Sequence, residues 1–408
     1  MASAFKNLAI LTSGTSLSQL IPFLSAPIIS RLFSPSDFAD FTLYTSILSI
    51  LILFSTFKYE MAIQLPEDSE ESLRIVNVCI AISFAVFIVS LVVMSVLVLL
   101  KVVDNIYMLM PFTAFLFSVC LIIERVYNRR QSYTSMSILK VTKTTSETFY
   151  NLVGFISFFK KFNLIIGLTA GYFCSFIFIL QKEWGILRNA LNSLLSTSNK
   201  EIIIKYSNFP VYNLPHALLN SISTSLPIFI IPLYFSKEEL GYFSFGLKYV
   251  QAPLAILSGA LYSIISQELS ILLHNRQALV NKFNFFLKNL FFASAFILMG
   301  LIFSPYIFKY IFGFQWMEAG KYIVIISILI VLGFILSSLA YVPILFHKQR
   351  KALIIEVFYF FAKLLPFLFV AGYLKADFRT TLVIYTILSS LVLLYTFNWY
   401  RKLIYNQK

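Results

Sequence analysis

Long apolar runs broken by short charged clusters set the pattern of this chain. Apolar windows and their charged borders predict spans at about 7–31, 38–65, 75–100, 106–128, 138–159, 163–187, 210–235, 240–266, 284–308, 321–346, 353–373 and 380–400. A helix needs about 20 predominantly apolar residues to cross a hydrocarbon core of roughly 30 Å, with its backbone groups satisfied internally. Barrel strands would alternate at every second position, and these runs do not. The expected fold class is an all-α membrane protein with about twelve transmembrane helices.

Two short stretches add a symmetry. RLFSPSDFADF at 31–41 and PLYFSKEELGYF at 232–243 lie about half of the 408-residue chain apart. Setting Phe33-Ser34 over Phe235-Ser236 pairs Asp37 with Glu239, Phe38 with Leu240, Ala39 with Gly241 and Phe41 with Phe243. The copies follow spans 1 and 7, an even number of crossings apart, so both fall on the same membrane side and the repeat is parallel. The longest internal polar segment, about 188–209, sits where a connection between two halves belongs. The organisation expected is an N-terminal six-helix lobe over 1–187, a cytoplasmic linker over 188–209 and a C-terminal six-helix lobe over 210–408, packed around a central cationic cavity. Asp37 and Glu239 each begin a span, where a carboxylate favours the helix N-terminus, so both are expected to be caps rather than a gate.

Composition supports the membrane assignment: 59% of residues are hydrophobic and only 12% charged, with a mean hydropathy of +0.83. The net charge of +14 comes from clusters at loop ends, chiefly RVYNRRQ at 125–131, HKQRK at 347–351, the segment 182–205, and Arg401 with Lys402. That is the positive-inside distribution, and it places both termini in the cytoplasm rather than pointing to nucleic acid. The first apolar run is long and is followed by Arg31, so no cleavable signal peptide is expected. Cys79, Cys120 and Cys174 lie inside spans without paired spacing and are expected to pack rather than bridge or bind metal. No Walker, Gly-rich phosphate-binding or HExxH sequence is present, and the outer loops are short. These features favour a transporter over an enzyme, with no cofactor and no metal site.

Polar residues inside spans carry the candidate chemistry, because an ionised group at mid-bilayer costs about 2.5–3.5 kcal/mol on insertion scales. At 100° per residue, Thr12, Thr15, Ser16, Gln19 and Ala26 share one face of span 1. Asn213, His216, Asn220, Thr224 and Pro227 share a face of span 7, and Ser244, Lys248, Gln251, Ala255, Gly259, Tyr262 and Ser266 form a stripe along span 8. Small residues in these stripes could equally serve close helix packing. Lys248 could not, and is expected to face a wet cavity. In span 2, Thr45, Ser49, Thr56 and Glu60 share a face, with Lys58 nearly opposite and out of pairing reach of Glu60 on a continuous helix. Lys143 and Glu147 in span 5 have the spacing of a helical ion pair, whereas Lys363 in span 11 has no local carboxylate. The substrate-facing candidates are therefore Lys248, Lys363, Arg31, Lys58, Gln19, Asn213, Asn220 and Gln251, and the coupling or gating candidates are Glu60, Glu147, Lys143 and His216. A lumen with more unpaired Lys than acid calls for an anionic cargo.

ISRLFSPSDFADF at 29–41, followed by FKYEMAIQLPED at 57–68, resembles the N-terminal signature of the bacterial O-antigen and polysaccharide flippases. There an Arg-aromatic-x-Pro-x-x-Phe/Tyr-Gly segment closes the first span and a Tyr-Glu-x-Ala-Ile-x-Leu-Pro segment ends the second. Ala39 stands where that family usually has Gly, and Arg31, Tyr59 and Glu60 are the aligned positions. The resemblance implies the multidrug, oligosaccharidyl-lipid and polysaccharide exporter superfamily, whose two six-helix lobes alternate between inward-open and outward-open forms. It implies an undecaprenyl-pyrophosphate-linked glycan as cargo, and as partners the membrane lipids and the polymerase and chain-length proteins of the same pathway. The implied location is the bacterial cytoplasmic (inner) membrane, and the pathway one that builds lipopolysaccharide O-antigen or capsule. A drug or organic-cation exporter of the same superfamily, and an integral-membrane glycosyl or acyl transferase, are the alternatives.

Overall fold

The computed structural model describes residues 2–154, 162–192, 198–273 and 275–406, and among them there is no strand. The helices are α1 (Ala2–Leu32), α2 (Pro35–Thr56), α3 (Ser69–Leu99), α4 (Leu109–Arg129), α5 (Tyr133–Val153), α6 (Asn163–Asn192), α7 (Ser198–Lys205) and α8 (Leu214–Tyr234). They continue as α9 (Lys237–Ile271), α10 (Arg276–Ile302), α11 (Ser304–Phe312), α12 (Met317–Ile325), α13 (Ser327–Ser338), α14 (Val342–Leu345), α15 (Gln349–Leu365) and α16 (Phe378–Tyr405). Ten helical stretches among the described residues are long and apolar enough to cross a membrane. The two other expected spans correspond to α1, apolar over Leu17–Leu32, and to α5, where Lys140, Lys143 and Glu147 dilute the apolar run. The end of the fifth expected span, 155–159, lies outside the described residues.

Four expected spans are interrupted. Span 2 stops at Thr56, because Phe57 and Lys58 take left-handed φ values of 47° and 66°, and a tight 3-10 turn over Tyr59–Gln64 follows. Span 9 is divided at Phe303, where Pro305 opens the separate helix α11. Span 10 is assembled from α12, α13 and α14. Span 11 widens from α15 into a π-helical stretch over Pro366–Tyr373, as expected where Pro366 supplies no N–H to the preceding turn. Hydropathy registers none of these breaks, since both sides of each remain apolar.

The chain divides into two compact units, one comprising 1–33 and 40–225, the other 34–39 and 226–408. The core of the first unit is aliphatic, built on Ile75, Val76, Cys79, Ile122, Ile123 and Ile179, with Tyr127 beside them. Within the segment expected as a linker, α7 is helical and belongs to this unit. The Tyr59 hydroxyl donates to the Ile203 carbonyl at 3.0 Å, and Lys205 pairs with Glu71. Residues 193–197 of that segment lie outside the described residues.

The core of the second unit adds a cluster of aromatic rings to its buried aliphatic side chains. Fully buried Trp316 stacks on Phe245 with ring centroids 3.7 Å apart, and Phe38 meets both rings edge-on at 4.9 and 5.1 Å. Both copies of the repeated line contribute to this unit. A Cβ on Gly241 would come within 1.9 Å of the Pro35 carbonyl oxygen, so only glycine permits that approach.

Candidate functional site

The repeated line forms the same local device twice. Ser34 is the N-cap of α2: its hydroxyl accepts from the Asp37 N–H at 3.3 Å, while the Asp37 carboxylate accepts from the Ser34 N–H at 2.8 Å. At α9, the Glu239 N–H donates to the Ser236 hydroxyl at 3.3 Å, and the Glu239 carboxylate accepts from the Ser236 N–H at 2.9 Å. These are two capping boxes. The sequence pointed to the acids as caps; the structure makes serine the cap in each copy and the acid its partner three residues on. In the last turn of α1, the Arg31 guanidinium donates to the Pro27 carbonyl one turn back at 2.9 Å, a favoured place for a cation at the negative end of a helix.

The Tyr-Glu segment faces inward. Tyr59 is 3% and Glu60 1% exposed. The Thr56 hydroxyl donates to Glu60 Oε2 at 2.6 Å, which agrees with the shared face expected for those two residues. Lys58 departs from expectation: its Nζ lies 3.7 Å from Glu60 Oε1. The helical spacing argument against that pair fails because the helix has already ended, and two left-handed residues turn Lys58 back toward Glu60. Glu60 therefore sits within the first unit rather than on an open wall, and Lys58 is neutralised beside it. From the end of α4, Arg129 donates to the carbonyls of Ile63, Glu67 and Asp68 at 3.2–3.3 Å, clamping the segment. The sequence reading treated Arg129 only as part of a basic loop.

A second charged group lies among α1, α4, α5 and α6. Lys143 Nζ is 2.6 Å from Glu147 Oε2 and 5.0 Å from the centre of the Tyr172 ring. Lys140 Nζ lies 4.0 Å from Glu124 Oε2. Ser18, Cys120, Glu124, Lys140, Lys143 and Tyr172 line a cavity of about 160 Å³. Gly171 lets α6 reach α5, since a Cβ there would lie 2.7 Å from the Lys143 carbonyl. The pairing of Lys143 with Glu147 was legible from its spacing; Glu124 and Tyr172 were missed, although Glu124 stands in an apolar window where a charge calls for a partner.

In the second unit the stripe on α9 is open. Lys248, Gln251, Ala255 and Gly259 are exposed, and Ser244 is buried. A Cβ on Gly259 would meet nothing within 4 Å, so close helix packing does not account for that glycine. Lys248 lies near the Tyr249 ring at 5.8 Å and stands eleven residues into α9, about 16 Å along its axis. Lys363, which lacks a local carboxylate, has an aromatic partner instead: its Nζ sits 4.1 Å above the Tyr359 ring. Gln19, His216 and Asn220 are exposed and Asn213 half-buried. Thr12, Thr15 and Ser16 lie outside the residues whose side chains are described. Among the described residues no cluster of His, Cys, Asp and Glu is arranged to hold a metal ion.

With this geometry in view, the fold can be compared with known proteins. The chain is similar to the lipid II flippase MurJ in an inward closed conformation, with a TM-score of 0.73 at 11% identity, covering 98% of this chain and 90% of that one. It is similar to a multidrug resistance MATE family transporter of the MOP superfamily in an inward-facing conformation, with a TM-score of 0.63 at 12% identity, covering 97% and 98%. It also resembles a MOP superfamily transporter from Pyrococcus furiosus described as having a binding pocket of reverse polarity, with a TM-score of 0.56 at 12% identity, covering 98% and 94%. No curated protein sequence matches the chain. At these identities the likeness establishes the fold, that of the MOP transporters. Residues 28–321 match the model of a family described as polysaccharide biosynthesis protein, and the chain belongs to that family.

Proposed function

We propose that this protein is a flippase that carries a polyprenyl-pyrophosphate-linked oligosaccharide, an O-antigen or capsule repeat unit, from the cytoplasmic to the outer leaflet of a bacterial inner membrane by alternating access. The observation that carries the reading is Lys248. An ammonium exposed about 16 Å along an apolar helix is too costly to face lipid, so it faces water or a polar cargo. On the same stripe, Gln251 offers donors and acceptors suited to sugar hydroxyls, and open space beside Gly259 leaves room for bulk. In a family of polysaccharide biosynthesis, the anion that answers Lys248 is a pyrophosphate with a glycan attached and an apolar tail that stays in lipid. Lys363, held over Tyr359, is the second proposed contact. The pair Lys143–Glu147, walled by Tyr172 in the first unit, is the proposed coupling element.

The test uses the purified full chain in liposomes loaded with a tagged polyprenyl-pyrophosphate oligosaccharide. Protein-dependent appearance of the tag to an impermeant probe on the opposite leaflet is the expected result. Liposomes in which the tag stays put while lipophilic organic cations cross would replace this reading with that of a cation exporter.

A further inference from the structure

A groove of about 570 Å³ lies where α15 begins and α16 ends, lined by Lys351, Tyr395, Asn398, Trp399, Arg401, Lys402, Tyr405 and Asn406. Three of these are cations, and no carboxylate is among the described lining residues. The cations are held against aromatic rings: Lys351 Nζ is 5.2 Å from the Trp399 ring centre and 5.9 Å from that of Tyr395, and the Arg401 guanidinium is 5.7 Å from Tyr405. From the start of α10, Arg276 donates to the Tyr405 carbonyl at 2.9 Å, bringing a further guanidinium to the same end.

Two features distinguish this groove from an ordinary basic loop. The first turn of α15 carries Arg350 and Lys351 and no acid. An anion seated there is favoured by the helix dipole as well as by the cations. The second feature is the surface leading into the groove. On α16, Ile387, Leu391, Leu394 and Tyr395 are exposed and share a helical face with Asn398 and Lys402. On α15, Ile354, Phe358, Phe361 and Leu365 are exposed and fall within about 80° of Lys351 around the helix. Each helix thus presents an apolar stripe that ends in cations and aromatic rings, the order of groups along a phospholipid.

We propose that this groove binds the phosphate headgroup of an anionic membrane lipid, with the acyl chains along the exposed faces of α15 and α16. A free phosphate would use the cations but gain nothing from the stripes, so a lipid is the occupant the geometry favours. The site is separate from the cargo-facing stripe on α9 and does not depend on what the protein transports.

Native mass spectrometry of the full chain, released from micelles containing phosphatidylglycerol or phosphatidylcholine, tests this. The wild type should retain phosphatidylglycerol in preference to phosphatidylcholine, with inorganic phosphate unable to displace it. Each cation removed by Lys351→Ala, Arg401→Ala or Lys402→Ala should weaken retention roughly fivefold, a contribution of about 1 kcal/mol per basic residue. The charge-preserving Lys402→Arg should retain the lipid. Equal retention of the two lipids, unchanged retention in the alanine variants, or displacement by inorganic phosphate would each overturn the proposal.

Discussion

At the scale of single residues, the two capping boxes and Lys248 make opposite demands on a substitution. Ser34→Ala removes the oxygen that accepts from the Asp37 N–H and should cost about 0.5–2 kcal/mol. Asp37→Asn keeps an acceptor for the Ser34 N–H and loses only the charge, worth about 0.3–1 kcal/mol at a helix start. Both variants, and Glu239→Gln with them, should therefore lose transport only in proportion to lost melting temperature. A stable but inactive Asp37→Asn would instead make the box an outer gate. Lys248→Ala should insert at normal levels, keep the wild-type melting temperature and lose most transport in the liposome assay, with Lys248→Arg retaining part of it; wild-type rates in the alanine variant would remove Lys248 from the site. That α2 and α9 are capped was readable because capping is local, but the cap itself was assigned to the acid and the serine three residues before it was missed. The Lys58–Glu60 pair was not readable, because it depends on left-handed backbone at Phe57 and Lys58, and neither is the glycine or asparagine that usually signals such a turn.

At the scale of elements, the interruptions matter more than the helices. Hydropathy found the apolar segments, since burying or solvating their backbone in lipid leaves no alternative to helix. It could not find α11 and α12, which straddle the junction of the ninth and tenth expected spans and are turned back on each other around Gly313, whose φ is 112°. The Ser304 hydroxyl donates to the Gly320 carbonyl at 2.8 Å, and Glu318 on α12 accepts from Lys321 at 2.9 Å and from Arg379 at the start of α16. This bridge gives a pH dependence. Desolvation raises the Glu318 carboxyl, but the bonds from Lys321 and Arg379 outweigh it and hold it below its ordinary 4.5. Stability from the bridge is thus present above that ordinary value and lost as pH falls through the lowered one. Glu318→Gln should lower the melting temperature near neutral pH and flatten its decline below about pH 4.5, measured by thermal unfolding in detergent; parallel acid curves for the two proteins would exclude the bridge as a contributor. Gly241→Ala should destabilise by about 1–3 kcal/mol through overpacking against the Pro35 carbonyl, whereas Gly259→Ala, with nothing near its Cβ, should leave the melting temperature unchanged.

At the scale of the whole chain, the parallel repeat stands or falls with the number of crossings between its two copies, over α2 to α8, and the hairpin of α11 and α12 decides the count beyond them. Each has nine residues, about 14 Å of helix, against a hydrocarbon core of roughly 30 Å. Neither can cross alone. Turned back on each other, they leave Arg276–Ile302 and Ser327–Leu345 as the stretches long and apolar enough to cross, one crossing each. That count predicts six crossings between Arg130 and Lys351, with both on the cytoplasmic side expected from the positive-inside distribution, together with Arg401 and Lys402. Reporter fusions after Arg130 and Lys351 should read cytoplasmic, and fusions after Lys101, Phe314 and Lys375 should read external. The Phe314 fusion is the sensitive one, since it samples the tip of the hairpin. A cytoplasmic reading there, with Lys351 still inside, would mean that α11 and α12 cross after all as a broken pair. An external reading at Lys351 would put an odd number of helices between the two basic clusters. A fusion after Phe235 reads the repeat itself: an external reading keeps the two copies parallel, and a cytoplasmic one would invert the second copy relative to the first and put the paired capping boxes on opposite faces of the membrane.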